Sequence, residues 1–263
     1  MDQPIEYVDT EVEHLSRRAF VEEVFGPHYE GGQHVAFIGP TGSGKTQIAY
    51  ELLDEVATPK LVAVVLVMKP KDDTVVDWSK IAGFKKTEVW PPVMKRGLIN
   101  MQKSGGYLKK RRGFVFWPRH TLSDIDRDDE ILKREFKAAI TDCYKHGHRI
   151  IFADEIVGLS KELGLEKTLN AVWMRGRSLE VGLWAATQRP YHAPLNMYSQ
   201  AEHLILFRDP DQRSVDRFKE IGGINPNLVE ENVHKLKKFQ FVYIGRNMGK
   251  DGVSPAIAIV DSK

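Results

Sequence analysis

The run His34 to Thr46, H-V-A-F-I-G-P-T-G-S-G-K-T, carries three local signals in succession. Val35 to Ile38 is a short apolar stretch that predicts a buried strand. Gly39 to Thr46 fits G-x-x-x-x-G-K-[ST], a phosphate-binding loop. Gln47 to Val56 then predicts a helix with Ile48, Leu52, Leu53 and Val56 on one face. Strand, glycine-rich loop and helix in that order are the context such a loop requires. Gly39, Gly42 and Gly44 allow the tight turn that aims backbone N–H groups at phosphate oxygens. The helix start adds partial positive charge. On this reading Gly39, Pro40, Thr41, Gly42, Ser43, Gly44, Lys45, Thr46 and Gln47 line a nucleotide site. Lys45 would reach the β- and γ-phosphates, and the Thr46 hydroxyl would ligate Mg²⁺. A chance glycine-rich turn would leave the match at every fixed position, and in both flanks, unexplained.

The chain of 263 residues is long enough for one large α/β domain, and its apolar fraction of 42% is that of an ordinary globular protein. A net charge of +2 does not by itself point to nucleic acid. The distribution of charge says more. The first thirty residues are acidic, whereas from Lys85 to Arg119 Glu88 is the only acid among many lysines and arginines. The single cysteine, Cys143, excludes an intramolecular disulfide and reads as a small core residue. The acidic N-terminus predicts no signal peptide, and the longest apolar run, Leu61 to Met68, is too short to span a bilayer. A soluble, cytoplasmic protein is expected.

Leu61–Met68 predicts a strand buried on both faces of a parallel sheet. Further strands are expected at Gly113–Trp117, Arg149–Ile156, Val181–Ala186 and Leu204–Phe207. Closing strands, antiparallel in character, are expected at Phe239–Ile244 and Ala256–Val260. Helices are expected over Glu11–Phe25, Asp124–Gly147, Leu159–Arg175 and Asp211–Ile221, with Ile5–Val8 as an edge strand. Strands alternating with helices predict one α/β domain with a mostly parallel central sheet flanked by helices. Residues 1–33 read as an N-terminal cover, and 34–263 as the domain, with 74–113 as a basic insertion.

Ile150-Ile151-Phe152-Ala153-Asp154-Glu155 is an apolar strand ending in two carboxylates. Beside a phosphate loop, Asp154 fits the Mg²⁺ shell, and Glu155 fits a general base that polarises water. The run Arg175 to Pro190, R-G-R-S-L-E-V-G-L-W-A-A-T-Q-R-P, resembles the sensor strand of the FtsK/HerA superfamily of DNA-pumping ATPases. Met197 to Arg208, with A-E-H-L-I-L-F-R, is similar to that family's next strand. The resemblance spans Val35 to Phe207 through four motifs in the family's order. It implies a RecA-like P-loop NTPase fold and ATP with Mg²⁺ as ligands. It also implies a closed ring, a hexamer by that likeness, and places the protein in the host cytoplasm if it is viral. Within it Gln188 would sense the γ-phosphate. Arg177 would serve a neighbouring subunit's site, with Arg175 competing for that role.

Lys103, Lys109, Lys110, Arg111 and Arg112 around Gly105-Gly106-Tyr107 fit a loop that meets DNA phosphates, or simply a solvated face. The function implied by the resemblance is an ATP-driven DNA translocation motor for genome packaging or DNA transfer. The alternative is an assembly or regulatory ATPase acting on a protein partner. A metabolite kinase is disfavoured because no acceptor site is recognisable beside the T-Q-R-P element.

Overall fold

The structure, a computed structural model, describes residues 11–78, 83–91, 111–218, 221, 224–246, 248–249 and 256–262. The expected architecture is observed: helices cover both faces of one sheet. Its ten strands are β1 (Val12–Leu15), β2 (Val35–Ile38), β3 (Val62–Leu66), β4 (Phe84–Thr87), β5 (Gly113–Phe116), β6 (Arg149–Ala153), β7 (Val181–Thr187), β8 (His203–Phe207), β9 (Phe241–Gly245) and β10 (Ala256–Val260). Their order across the sheet is β1-β10-β9-β8-β2-β7-β6-β3-β5-β4. Only β9 runs against its neighbours, antiparallel to β8 and β10. The central strands β2, β3 and β7 are buried at every residue, as near-continuous runs of Val, Ile, Ala and Leu require.

Alternate side chains of each central strand feed two separate cores. Ala36, Ile38, Ile151 and Leu183 face the helices Ile125–His146, Glu166–Arg175 and Pro226–Lys235. Val35, Phe37, Phe152 and Trp184 face the helix Lys45–Val56 and the N-terminal helical segment. Helix Ile125–His146 starts where the Asp124 carboxylate accepts from the Arg127 N–H, and it ends at Gly147. It buries Leu132, Phe136, Ile140 and Cys143. Each of the larger three contributes about 1.5–3 kcal/mol of apolar burial. Burial also pushes the Cys143 thiol up to about 12, in keeping with a core residue.

Three features depart from the sequence expectations. Glu11–Phe25 is not one helix: Val12–Leu15 is an edge strand, parallel to β10, and helical turns run from Arg17 to His28. Strand pairing with residues far along the chain overrides a local pattern that either element could satisfy. The Ser16 side chain then accepts from the Ala19 N–H and sets the helix start. Phe84–Thr87 forms a further edge strand, with Phe84 and Thr87 buried and the two lysines between them less so. Its F-K-K-T sequence carries too little apolar signal to register. The helix Pro226–Lys235 was also not anticipated, although Asn225 before Pro226 is a start signal. The expected Ile5–Val8 strand lies outside the described residues.

The N-terminal segment docks tightly. Phe20 and Phe25 are fully buried, and the Trp184 indole N–H donates to the Tyr29 hydroxyl at 2.9 Å. Gly182 on β7 makes room for it: a Cβ there would lie 2.5 Å from the Gln33 carbonyl oxygen and 2.7 Å from the Tyr29 hydroxyl. The Gln33 backbone cannot yield without unseating the segment. Gly182→Ala should therefore cost about 1–3 kcal/mol by overpacking, read as a lower urea midpoint; an unchanged midpoint would mean that the segment is loosely held.

Candidate active site

Parallel strands bring their C-terminal ends to one edge of the sheet, and functional groups gather there. The loop Gly39–Gly44 follows β2, Asp154 and Glu155 follow β6, Gln188 follows β7, and Lys69 follows β3. β7 lies between β2 and β6, with Ile38 paired to Thr187 and Ala153 to Ala185. The Gly39 N–H donates to the Thr187 carbonyl at 3.2 Å, tying the loop to the tip of β7.

The loop is shaped as a cradle. Gly42 and Gly44 have φ of 75° and 104°, a region that favours glycine, and nothing lies within 4 Å of a Cβ built on Gly42. Helix Lys45–Val56 begins directly behind it, so its first N–H groups are available to an anion. Lys45 is 8% exposed and donates at 2.7 Å to the carbonyls of Gly39 and Pro40. Burial lowers its pKa to about 8, against the opposing pull of Asp154 and Glu155. A buried ammonium satisfied only by its own loop is a group suited to receiving phosphate oxygens.

Thr46 Oγ1 donates to Asp154 Oδ1 at 2.8 Å. Among the described residues no group of three or more His, Cys, Asp or Glu could hold a metal. One hydroxyl and one carboxylate are the partial oxygen set that Mg²⁺ completes with phosphate oxygens and water, so these residues fit that ion. Glu155 is held in place by the tip of β7. It accepts from the Gln188 N–H and the Thr187 hydroxyl, both at 3.4 Å, and from the Val157 N–H at 3.3 Å. Burial raises its pKa, and those backbone N–H groups limit the rise. The Gln188 side chain contacts the Thr41 hydroxyl of the loop. One glutamine therefore touches the phosphate cradle through its side chain and the candidate base through its backbone.

Lys69 was not singled out in the sequence. Its ammonium lies 3.3 Å from Asp154 and 3.1 Å from Asp72, and the Trp117 indole N–H holds its carbonyl at 2.7 Å. Only its position after a buried strand could have drawn attention to it. A cavity of about 520 Å³ opens beside the loop, lined by Lys45, Thr46, Gln47, Lys69 and Asp72 among others.

The remaining candidates lie elsewhere. Arg175 and Arg177 precede β7, whereas Gln188 follows it. Seven strand residues separate them, roughly 23 Å at ~3.3 Å per residue. Neither arginine reaches the loop of its own chain. Arg177 is exposed and pairs with Glu202 at 3.2 Å; Arg175 is exposed, its guanidinium 5.9 Å from the Tyr144 ring centre. Of the basic run, Lys103, Lys109 and Lys110 lie outside the described residues. Arg111 is half-buried just before β5. Arg112 corrects the expectation: its guanidinium donates to the backbone carbonyl and carboxylate of Asp54 and lies over the Phe84 ring. Those contacts make Arg112 a strut between β5 and helix Lys45–Val56, not a free phosphate contact.

No family model and no curated protein matches the sequence. Solved structures do match the fold. The genome packaging NTPase B204 from Sulfolobus turreted icosahedral virus 2, in complex with sulfate, is 16% identical, with 89% of this chain and 98% of that chain covered and a TM-score of 0.57. The DNA-packaging ATPase B204 from Sulfolobus Turreted Icosahedral Virus is 15% identical, covers 87% and 98%, and has a TM-score of 0.54. VirB4 of Thermoanaerobacter pseudethanolicus is 9% identical, covers 85% and 88%, and has a TM-score of 0.56. The fold is therefore that of P-loop NTPases, shared over nearly the whole of each chain.

The lowered pKa of Lys45 has a direct consequence. Phosphate binding needs the ammonium, which is present below about pH 8 and lost above it. Affinity for ATP should be flat from pH 6.5 to 7.5 and weaken by up to about tenfold per unit above pH 8. Calorimetric titration of ATP across pH 6.5–9.5 checks this; constant affinity would show that the ammonium does not limit binding.

Proposed function

We propose that this chain is an ATP-hydrolysing DNA translocation motor of the FtsK/HerA type, working as a ring in genome packaging or DNA transfer for a virus or mobile element. The observation that carries the reading is the placement of β7 between the loop strand and the carboxylate strand, with Gln188 joining the loop to Glu155. Glu155, raised in basicity and held at the end of β6, takes a proton from the attacking water. The water oxygen bonds to the γ-phosphorus as the bond from that phosphorus to the β,γ-bridging oxygen breaks. Lys45 and the loop N–H groups offset charge on the departing diphosphate. A magnesium ion held through Thr46 and Asp154 would add further neutralisation.

Three things support DNA as the partner. The sensor-strand likeness is to DNA-pumping ATPases, the packaging ATPases above share the fold, and the chain has a basic run at Lys103, Lys109, Lys110 and Arg111. The fold shared with B204 extends to its complex with ATP-gammaS. A ring is supported by the position of Arg177. It is exposed and remote from its own loop, so a neighbour's site is where it could act. No described helix is long and apolar enough to cross a membrane.

Duplex or single-stranded DNA should raise ATP turnover several-fold, and Lys45→Ala should abolish turnover with or without DNA. Turnover that ignores DNA would favour the assembly ATPase that acts on a protein. Arg177→Ala should assemble and bind ATP yet lose on the order of 10³-fold or more in rate. Mixing it with Glu155→Gln protein should restore part of the activity, because some interfaces then pair two intact half-sites. ATPase rate against mixing ratio at fixed total protein is the measurement. No recovery in confirmed mixed assemblies would move the role to Arg175 or to the same chain.

A further inference from the structure

The turn Lys237–Gln240, which leads into β9, is closed from both sides. The Gln240 N–H donates to the Lys237 carbonyl at 3.1 Å, and the Lys237 N–H donates to Gln240 Oε1 at 2.7 Å. Gln240 Nε2 in turn holds Asp261 at 2.6 Å. Phe239 occupies the third position of this turn with φ of 67°, where glycine or asparagine would be relaxed. A phenylalanine there is a strained residue in a rigid frame, and such strain gathers at ligand clamps. Phe239 is 40% exposed, whereas the neighbouring Phe207 and Phe241 are buried.

The ring stands beside the phosphate loop. Its Cδ1 lies 3.4 Å from where a Cβ on Gly44 would be. It lines the cavity in front of the loop and also a second cavity of about 260 Å³, lined by Thr41, Ser43, Arg208 and Lys238 among others. Sheet order fixes which end of a nucleotide could meet it. Asp154, Glu155 and Gln188 lie to the β6–β7 side of the loop, so the γ-phosphate is directed there. The turn carrying Phe239 leads from the opposite side, that of β8 and β9. The other wall of the front cavity carries Asp72, Asp73 and Asp77, which offer no aromatic surface.

We propose that Phe239 is the stacking wall for the nucleobase of the bound nucleotide. This rests on the nucleotide reading of the loop and adds the residue that receives the base. Base–aromatic stacking tolerates every base, because each has a π-face. Both polar ends of the Gln240 amide are already engaged in the turn and its anchor, so that neighbour leaves base identity unread. The Lys238 ammonium lies over one face of the ring, 4.9 Å from its centre, so the base would take the opposite face.

The test is calorimetric titration of ATP, GTP and inorganic tripolyphosphate into the wild type and into Phe239→Ala, Phe239→Gly and Phe239→Tyr. Phe239→Ala should bind ATP and GTP at least about fivefold more weakly and tripolyphosphate as the wild type does. Phe239→Gly, which relaxes the turn, should keep or raise the melting temperature and lose the same affinity; Phe239→Tyr should restore it. Unchanged ATP affinity in Phe239→Ala, or an equal loss for tripolyphosphate, would overturn the stacking role. Failure of the wild type to bind ATP would instead overturn the nucleotide reading itself.

Discussion

The site depends on one placement, that of β7 between β2 and β6. The parallel pairing of Ile38 with Thr187 sets the tip of β7 against the phosphate loop, and that of Ala153 with Ala185 sets it against the two carboxylates. Thr187 and Gln188 then hold Glu155, while the Gln188 side chain contacts Thr41. A register slip of one residue would turn every side chain of β7 to the wrong face. The slip is resisted by the two cores: Leu183 and Ala185 belong to one, Trp184 and Ala186 to the other. Packing of the sheet and geometry of the site are therefore one constraint.

The same strand links the two ends of the molecule. Arg177 enters it on one side and Gln188 leaves it on the other. Arg177 is tethered to Glu202, whose second oxygen accepts from the His34 N–H at 2.7 Å, immediately before β2. Arg177 is thus linked through Glu202 to the base of the strand that carries the phosphate loop.

Much of this was legible in the sequence, because the signals were local. The loop states its glycines and lysine within eight residues, Gly39 to Thr46, and the apolar strands state their burial residue by residue. The Asp154–Glu155 pair became readable once the loop stood upstream. What escaped was set by contacts between distant segments. Val12–Leu15 becomes a strand because β10 offers an edge, and Phe84–Thr87 because β5 does. Arg112 sat in a basic run, and only the fold reveals Asp54 beside it. Lys69 and Phe239 carry no motif. Their significance arises from where β3 ends and where the turn before β9 falls.

Glu155→Gln tests the central claim most directly, since it keeps the shape of the side chain and removes its ability to take a proton. Single-turnover hydrolysis should be measured beside ATP affinity on the same preparation. The account predicts wild-type affinity with hydrolysis slowed by about 10²–10⁴-fold; full turnover at unchanged affinity would contradict it.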